Sequence, residues 1–418
     1  MSSLAPAPAI TMTRSRARAQ ADSKAQADPQ PFVLDVSRLI WRLWAGRLPT
    51  GIDRVCLAYL EEFADRALAM LQWREHRVVL GPRASRKLFS LLLGGVGKPI
   101  RRALAARLAA AIPLAIARPP RVAGKIYLNV GHTGLNVVGL VDWLAERNLR
   151  PVFLIHDLIP ITHPQYCRAG EAERHAARMR NALAAAAGFI VNSADTGAEL
   201  TRFAHAEGRE PAPILVAHLG IEPLSASKVG ETQAVPAKRP YFLCLGTIEA
   251  RKNHILLLQV WDALRERLGT ATPDLILIGQ RGWEAEQTFE LLDTRHHDQG
   301  RIIELPRCTD GELAAWLDGA RALLMPSHVE GYGLPVLEAL SRATPVIATD
   351  LPVYRELAPG IPMLLPADDR EAWENAVLAC IDDSGERTRQ KSLLVGYRAP
   401  DWAGHMTLVK TWLDGLPS

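Results

Sequence analysis

Residues 325–338 read MPSHVEGYGLPVLE, and the apolar run at 322–325 leads into them. That run stops at Pro326, which has no N–H for a sheet ladder, so it reads as a short buried strand. Gly331 and Gly333 allow backbone angles that other residues avoid and let a ligand come close to the chain. Pro335 suits the first turn of a helix, where its missing N–H costs nothing. The unit is strand, glycine turn, helix, and the apolar run at 346–348 completes it with a second strand. Such units build parallel sheets with crossover helices. Glu330 falls on the turn and Glu338 is expected in the opening turn of the helix. The free amides between them suit phosphate or sugar oxygens, and each carboxylate can accept hydrogen bonds from a diol. On chemistry alone, a glycine turn before a capped helix, with Glu338 complementing the helix dipole, accounts for the same residues.

The same grammar extends in both directions. Strand-like runs stand at 32–36, 77–80, 126–129, 152–155, 188–191 and 214–217, then at 241–245, 275–278, 302–304, 322–325, 346–348 and 363–365. Helical stretches at 54–67, 135–147 and 171–187 separate several of them. Residues 223–240 mix Ser, Lys, Gly, Thr and Pro without periodicity and read as a linker. The fold class is therefore α/β, with two Rossmann-like doubly wound domains facing a cleft. The expected division is a disordered segment at 1–30, a first domain at 31–225, a second domain at 236–398, and a C-terminal helix at 399–418. Ligands in such sheets bind at the carboxyl ends of the strands.

Bulk composition narrows the class. The chain has 418 residues, enough for two domains, and a formal charge of only +4. Its five cysteines show no C-x-x-C or Cys/His spacing, which argues against a disulfide framework or zinc and for a reducing compartment. No apolar run reaches transmembrane length, and the first thirty residues lack the apolar core of a secretion signal.

Two further segments bear on chemistry. Residues 241–254 read YFLCLGTIEARKNH: a strand, Gly246 and Thr247 in a turn, then Arg251 and Lys252. A basic pair after a glycine turn suits a diphosphate, and it also suits a solvated turn. In the first half, Gly51 opens a helix after Thr50, a plain cap or a ligand loop. His132, His156 and His163 lie at strand ends, and His156-Asp157 begins HDLIPITHPQYC. A strand-end histidine is more often structural than catalytic. Residues 82–121 hold nine Lys or Arg and no acid, with Leu88, Phe89, Leu104, Leu108 and Ile112 among them. They read as basic amphipathic helices able to lie on an anionic membrane, or as packing helices with a solvated basic face. No binding motif accompanies the charge, so nucleic acid is not an expected partner.

The seven-residue gap between Glu330 and Glu338, and the stretch 325–357 around it, resemble the GT-B retaining glycosyltransferases of family 4, of the bacterial surface-polysaccharide type. The resemblance implies that Glu330 meets the donor sugar and Glu338 the nucleotide ribose. It implies that the 331–334 backbone (Gly331, Tyr332, Gly333, Leu334) covers the diphosphate and sugar. Residues 241–254 are similar to the family's phosphate loop. Lys252 matches the family lysine, Thr247 stands where an arginine commonly follows the glycine, and Arg251 is the inferred replacement. Gly51 matches a glycine loop that is usually a pair, and HDLIPITHPQYC is similar to the cleft segment that brings His156 and Asp157 near the transferred sugar.

By the same resemblance, the expected reaction is transfer of a hexose, with retention, from a nucleoside-diphosphate sugar to a hydroxyl of a lipid-linked oligosaccharide. GDP-mannose is favoured over UDP-glucose and dTDP-rhamnose. No metal or other cofactor is needed, and the enzyme works in the cytoplasm on the inner face of an anionic membrane. An epimerase of the same architecture and a non-catalytic subunit of a polysaccharide-assembly complex are the alternatives.

Overall fold

The structure, a computed structural model, describes residues 28–46, 50–94, 98–222, 239–294, 302–382 and 385–417. Most of the expected linker and of the expected disordered head lies outside these residues.

The first sheet contains β1 (Phe32–Asp35), β2 (Ala67–Trp73), β3 (His76–Val79), β4 (Ile126–Asn129), β5 (Arg150–Ile155), β6 (Gly188–Val191) and β7 (Ile214–Val216), in the order β3-β2-β1-β4-β5-β6-β7. Its helices are α1 (Ser37–Ala45), α2 (Gly51–Phe63), α3 (Pro82–Leu93), α4 (Lys98–Ala117), α5 (Leu140–Glu146), α6 (Glu171–Ala185) and α7 (Ala194–Ala206), with a short turn of helix at Ile159–Thr162. The second sheet contains β8 (Tyr241–Leu245), β9 (Asp274–Ile278), β10 (Ile302–Leu305), β11 (Leu323–Met325), β12 (Val346–Thr349) and β13 (Met363–Leu365), in the order β10-β9-β8-β11-β12-β13. Around it lie α8 (His254–Leu268), α9 (Glu286–Thr294), α10 (Asp310–Gly319), α11 (Leu334–Ser341), α12 (Pro352–Leu357), α13 (Arg370–Ile381) and α14 (Gly385–Leu394), and the chain ends on α15 (Trp402–Asp414).

Both sheets bury both faces, which is why their strands are apolar runs rather than alternating ones. Along β5, Phe153 and Ile155 join one core and Val152 and Leu154 another. Along β8, Phe242 and Cys244 face one core while Leu243 faces the other. Strand order reverses direction at β1/β4 and at β8/β11. Loops at the carboxyl ends of these strands diverge and leave room for ligands.

Three expectations need correction. The helix expected over 54–67 ends at Phe63, and residues 67–73 form β2, a strand absent from the sequence reading. The first sheet is not wholly parallel: β3 pairs antiparallel with β2, Met70 opposite Val79. Glu338 lies on the second turn of α11, because Gly333 is the N-cap and Leu334 the first helical residue.

Helix α15 packs on the first domain. The Tyr59 hydroxyl and His405 Nε2 are 2.9 Å apart, Lys410 donates to Glu62, and the Arg150 guanidinium donates to the Leu416 carbonyl. The ring of Trp412 fills the space that a side chain at Gly188 would need.

Candidate active site

β11 delivers Ser327 and the turn beyond it. Glu330 there is 9% exposed and accepts three hydrogen bonds: from Lys252 Nζ at 2.5 Å, Arg251 Nη1 at 2.7 Å and Ser327 Oγ at 2.6 Å. Burial works against its charge, yet Arg251 and Lys252 hold its carboxyl down at about 2. Arg251 is divided among several acceptors. It also donates to the Glu249 carboxylate and the Val329 carbonyl, and despite its burial the two carboxylates raise its pKa. Lys252, by contrast, has Glu330 as its one side-chain partner among the described residues. The main chain joins the two loops as well, His328 N donating to the Arg251 carbonyl at 2.9 Å.

Gly246 makes room for this arrangement. Its φ of +137° is open to glycine, and a side chain there would stand 3.3 Å from Lys252 Cε. Thr247 comes next, its methyl against Gly282.

Glu338, 7% exposed, faces the other domain. Arg54, on the first turn of α2, donates from Nη1 to Glu338 at 3.0 Å and from Nη2 to Asp310 at 3.0 Å. Burial raises the Glu338 pKa, with Arg54 opposing. Gly51 sits opposite the tip of Leu334, 3.6 Å from where a Cβ would be. Its turn is capped by Asp53, which accepts from Thr50 N at 2.8 Å and from Arg38 Nε at 2.7 Å.

The glycine turn of the second domain touches the His156-Asp157 turn of the first. A Cβ on Gly331 would stand 2.8 Å from both the Asp157 Cβ and the His156 carbonyl oxygen. Asp157 accepts from Ile159 N and is half-buried. The His156 ring is buried, 5% exposed, and its Nε2 lies 2.8 Å from the Val130 carbonyl. It braces the 130–131 loop, so this turn presents its backbone and the Asp157 side chain to Gly331. The ring of His132 lies between two others, its centroid 5.1 Å from that of His156 and 5.8 Å from that of His175. Burial lowers the pKa of all three. The Tyr332 hydroxyl donates to the Leu219 carbonyl at 2.7 Å, so this side chain ties the domains and leaves its backbone to the turn. His163 stacks near Tyr166, which lies flat on His328 at 4.8 Å.

Sequence reasoning missed Arg54, Ser327, Glu249 and Glu356. Glu356 accepts from Ala194 N, at the start of α7, and lies 2.6 Å from His218 Nε2. The pairs made by Arg54 and Glu356 join positions more than a hundred residues apart, and no local pattern announces them. Among the described residues no group of three or more His, Cys, Asp or Glu is placed to hold a metal ion.

In chemical terms the cleft offers a clamp: glycine amides at a turn, an ionised buried carboxylate, and two cations behind it. Residues 229–392 match the family model Glycosyl transferases group 1. The chain is 30% identical over 244 residues to the serotype-specific mannosyltransferase WbdA of Escherichia coli, a match covering 54% of this chain and 29% of that protein. It is 33% identical over 147 residues to the O-antigen chain mannosyltransferase B of Escherichia coli, covering 35% and 38%. The matches thus cover well under half the length of these two relatives. Among solved structures, Anabaena Alr3699/HepE in complex with UDP and glucose aligns at a TM-score of 0.63 and 16% identity, covering 92% of this chain and 99% of that one. Sucrose-phosphate synthase from Thermosynechococcus elongatus aligns at 0.59 and 17%, covering 92% and 98%.

Proposed function

We propose that this chain, whose second half is a group 1 glycosyltransferase domain set in a GT-B fold, moves a hexose from a nucleoside-diphosphate sugar to an acceptor hydroxyl with retention at the anomeric carbon. One observation carries the reading: the buried cluster of Glu330, Lys252 and Arg251 beneath the Gly331–Gly333 turn, at the mouth of both sheets. Glu330, ionised at neutral pH, accepts from hydroxyls of the donor sugar. Glu338 takes the ribose diol, exchanging its bond to Arg54. Breaking the sugar–phosphate bond puts negative charge on the diphosphate, and Lys252 stabilises it together with the turn amides. Arg251 is a positioning residue, since its donors already serve Glu249 and Glu330. Asp157 and the His156 backbone close the far side of the sugar pocket. The reaction needs no metal in this reading.

GDP-mannose is the proposed donor, in line with relatives named as mannosyltransferases. Thermal melting with GDP-mannose, UDP-glucose and dTDP-rhamnose tests it. A ligand at a hundred times its Kd stabilises by about 2.7 kcal/mol and raises the melting point by several degrees. A shift with GDP-mannose alone is the expected result. No shift with any of the three removes the donor assignment.

The acceptor is a lipid-linked oligosaccharide at the inner face of an anionic membrane. Helix α4 supports the membrane side: among its described side chains only Leu104 and Ala115 are buried core residues, while Leu114 and Ile116 stand 59% and 69% exposed. Between α3 and α4, Arg83, Arg86, Lys87, Ser90 and Arg107 line a groove of about 420 Å³. Among the described residues these cations have no carboxylate partner, so they repel one another until an anion arrives. No described helix is long and apolar enough to cross a membrane. Each cation near such a surface is worth about 1 kcal/mol. Reversing Arg101, Arg102 and Arg107 to Glu should lower affinity for phosphatidylglycerol vesicles at least a hundredfold in a sedimentation assay. Unchanged sedimentation removes the membrane from the reading.

A further inference from the structure

We infer that Trp41, Trp44 and Trp73 form a subsite for the sugar rings of the acceptor, at the mouth of the cleft on the first domain. The inference rests on the transferase reading and adds a binding surface to it. The rings of Trp41 and Trp73 stack at 4.4 Å between centroids and 21° between planes. Trp44 lies three residues from Trp41, on the same side of α1. The chain has ten tryptophans, and Trp143, Trp261, Trp316 and Trp373 are buried. These three are 40%, 51% and 53% exposed for Trp41, Trp44 and Trp73, although nothing in the fold requires wide aromatic faces at the surface. Apolar faces that are exposed together, rather than scattered singly, mark interaction sites.

The position in the fold says which partner. Trp73 ends β2 and α1 follows β1, so the stack stands at the carboxyl edge of the sheet, where the cleft opens. Two contacts join it to the cleft floor. Gln72 donates to the Gly134 carbonyl, on the loop after β4, and Arg38 reaches the Asp53 carboxylate at the Gly51 turn. Ser37 Oγ accepts from Gln72 N at 2.7 Å and locks α1 against β2, which fixes the two rings before any ligand comes.

Flat, rigid indoles suit the C–H face of a pyranose, and they cost little conformational entropy on binding. The exposed indoles also carry N–H groups with no partner among the described residues, donors that the hydroxyls of a saccharide can use. A bilayer is the rival partner. Side chains that enter lipid protrude, as Leu114 and Ile116 do, whereas the Trp41 and Trp73 rings lie half-embedded against each other.

The test uses the full chain with three probes, linear α-mannotetraose, maltotetraose and chitotetraose, in ligand-detected saturation-transfer NMR. The wild type should bind at least one of them. Trp41→Ala and Trp73→Ala should each weaken that binding about tenfold, and Trp41→Phe less. Donor affinity by calorimetry and sedimentation with vesicles should stay within twofold of wild type, which also establishes that the variants fold. In turnover the acceptor KM rises while kcat holds. Wild-type saccharide affinity in both alanine variants overturns the subsite, and so does a wild type that binds none of the three probes. Loss of vesicle binding with saccharide binding intact overturns it too and makes the patch a membrane anchor. If the wild type binds no sugar nucleotide, the transferase reading fails instead, and saccharide binding is then read separately.

Discussion

Lys252→Ala lowers sugar transfer by about a thousandfold, measured as nucleotide release that depends on acceptor. Removing a single buried donor to a developing oxyanion costs about 10²–10³ in rate, and Lys252 is the one cation of the cluster whose donors are not divided among several acceptors. The charge grows on the leaving diphosphate only as the bond breaks, so the loss falls on kcat more than on donor affinity. Glu330→Ala is expected to match that loss for a second reason. It strips the shared acceptor from Arg251 and Lys252, both largely buried, and leaves two cations without compensation. Breaking a buried pair from one side costs about 3–5 kcal/mol, so this variant also melts lower, whereas Lys252→Ala leaves Glu330 still paired with Arg251 and Ser327. The two substitutions separate chemistry from stability. Near-wild-type turnover in Lys252→Ala removes it from the reaction.

How much of this was legible in the sequence depends on the range of the interactions. The glycine turn at 331–333, Pro335 and the apolar runs around them act within a few residues, and the strand–turn–helix unit comes from them directly. β2 was not legible in the same way. Its residues, ALAMLQW, include no β-branched side chain and are mostly strong helix formers. They become a strand because β1 on one side and β3 on the other supply the ladder. β3 was legible as the run at 77–80, but its antiparallel direction was not, since the two-residue turn at Arg74-Glu75 carries no glycine, and Arg74 takes a φ of +51° itself.

The site divides along the same line. Glu330, Lys252 and Arg251 stood out because each sits in a turn close to a glycine. That they form one cluster did not, because 78 residues separate Lys252 from Glu330. Nor did the sequence indicate that Arg251 pairs with two carboxylates, which in the proposed mechanism makes it a brace rather than a charge donor. His156 shows the converse. A strand-end His-Asp looks catalytic, yet the ring is buried against the Val130 carbonyl and the backbone is the part that meets the glycine turn.

Those buried histidines carry the second large prediction: the protein loses stability in mild acid. In an unfolded chain each imidazole takes its proton near pH ~6.5. In the fold, burial lowers His132, His156, His175 and His405, and holds His254 at about 3. Below about pH 6.5 the unfolded chain therefore binds more protons than the folded one, and stability falls as pH drops, by up to about 1.4 kcal/mol per pH unit for each histidine. The effect is absent above about pH 7.5 and ends at the depressed folded values. Carboxyls raised by burial act in the opposite sense. Glu199, pushed up to about 7, takes a proton in the folded state over the same range, and Asp35 and Glu338 are raised as well. The five histidines outweigh these three carboxyls by number. Urea unfolding at about pH 7.5 and about pH 5.5 should differ by about 3 kcal/mol. The cluster of His132, His156 and His175 lies at the carboxyl edge of the first sheet, so its protonation in the folded protein disturbs the turn that meets Gly331, and transfer by the folded enzyme should fall only towards those depressed values, about 4 for His156. Equal unfolding free energies at the two pH values would mean that these imidazoles find water or carboxylates on protonation, and the acid sensitivity assigned to the cleft wall would go with them.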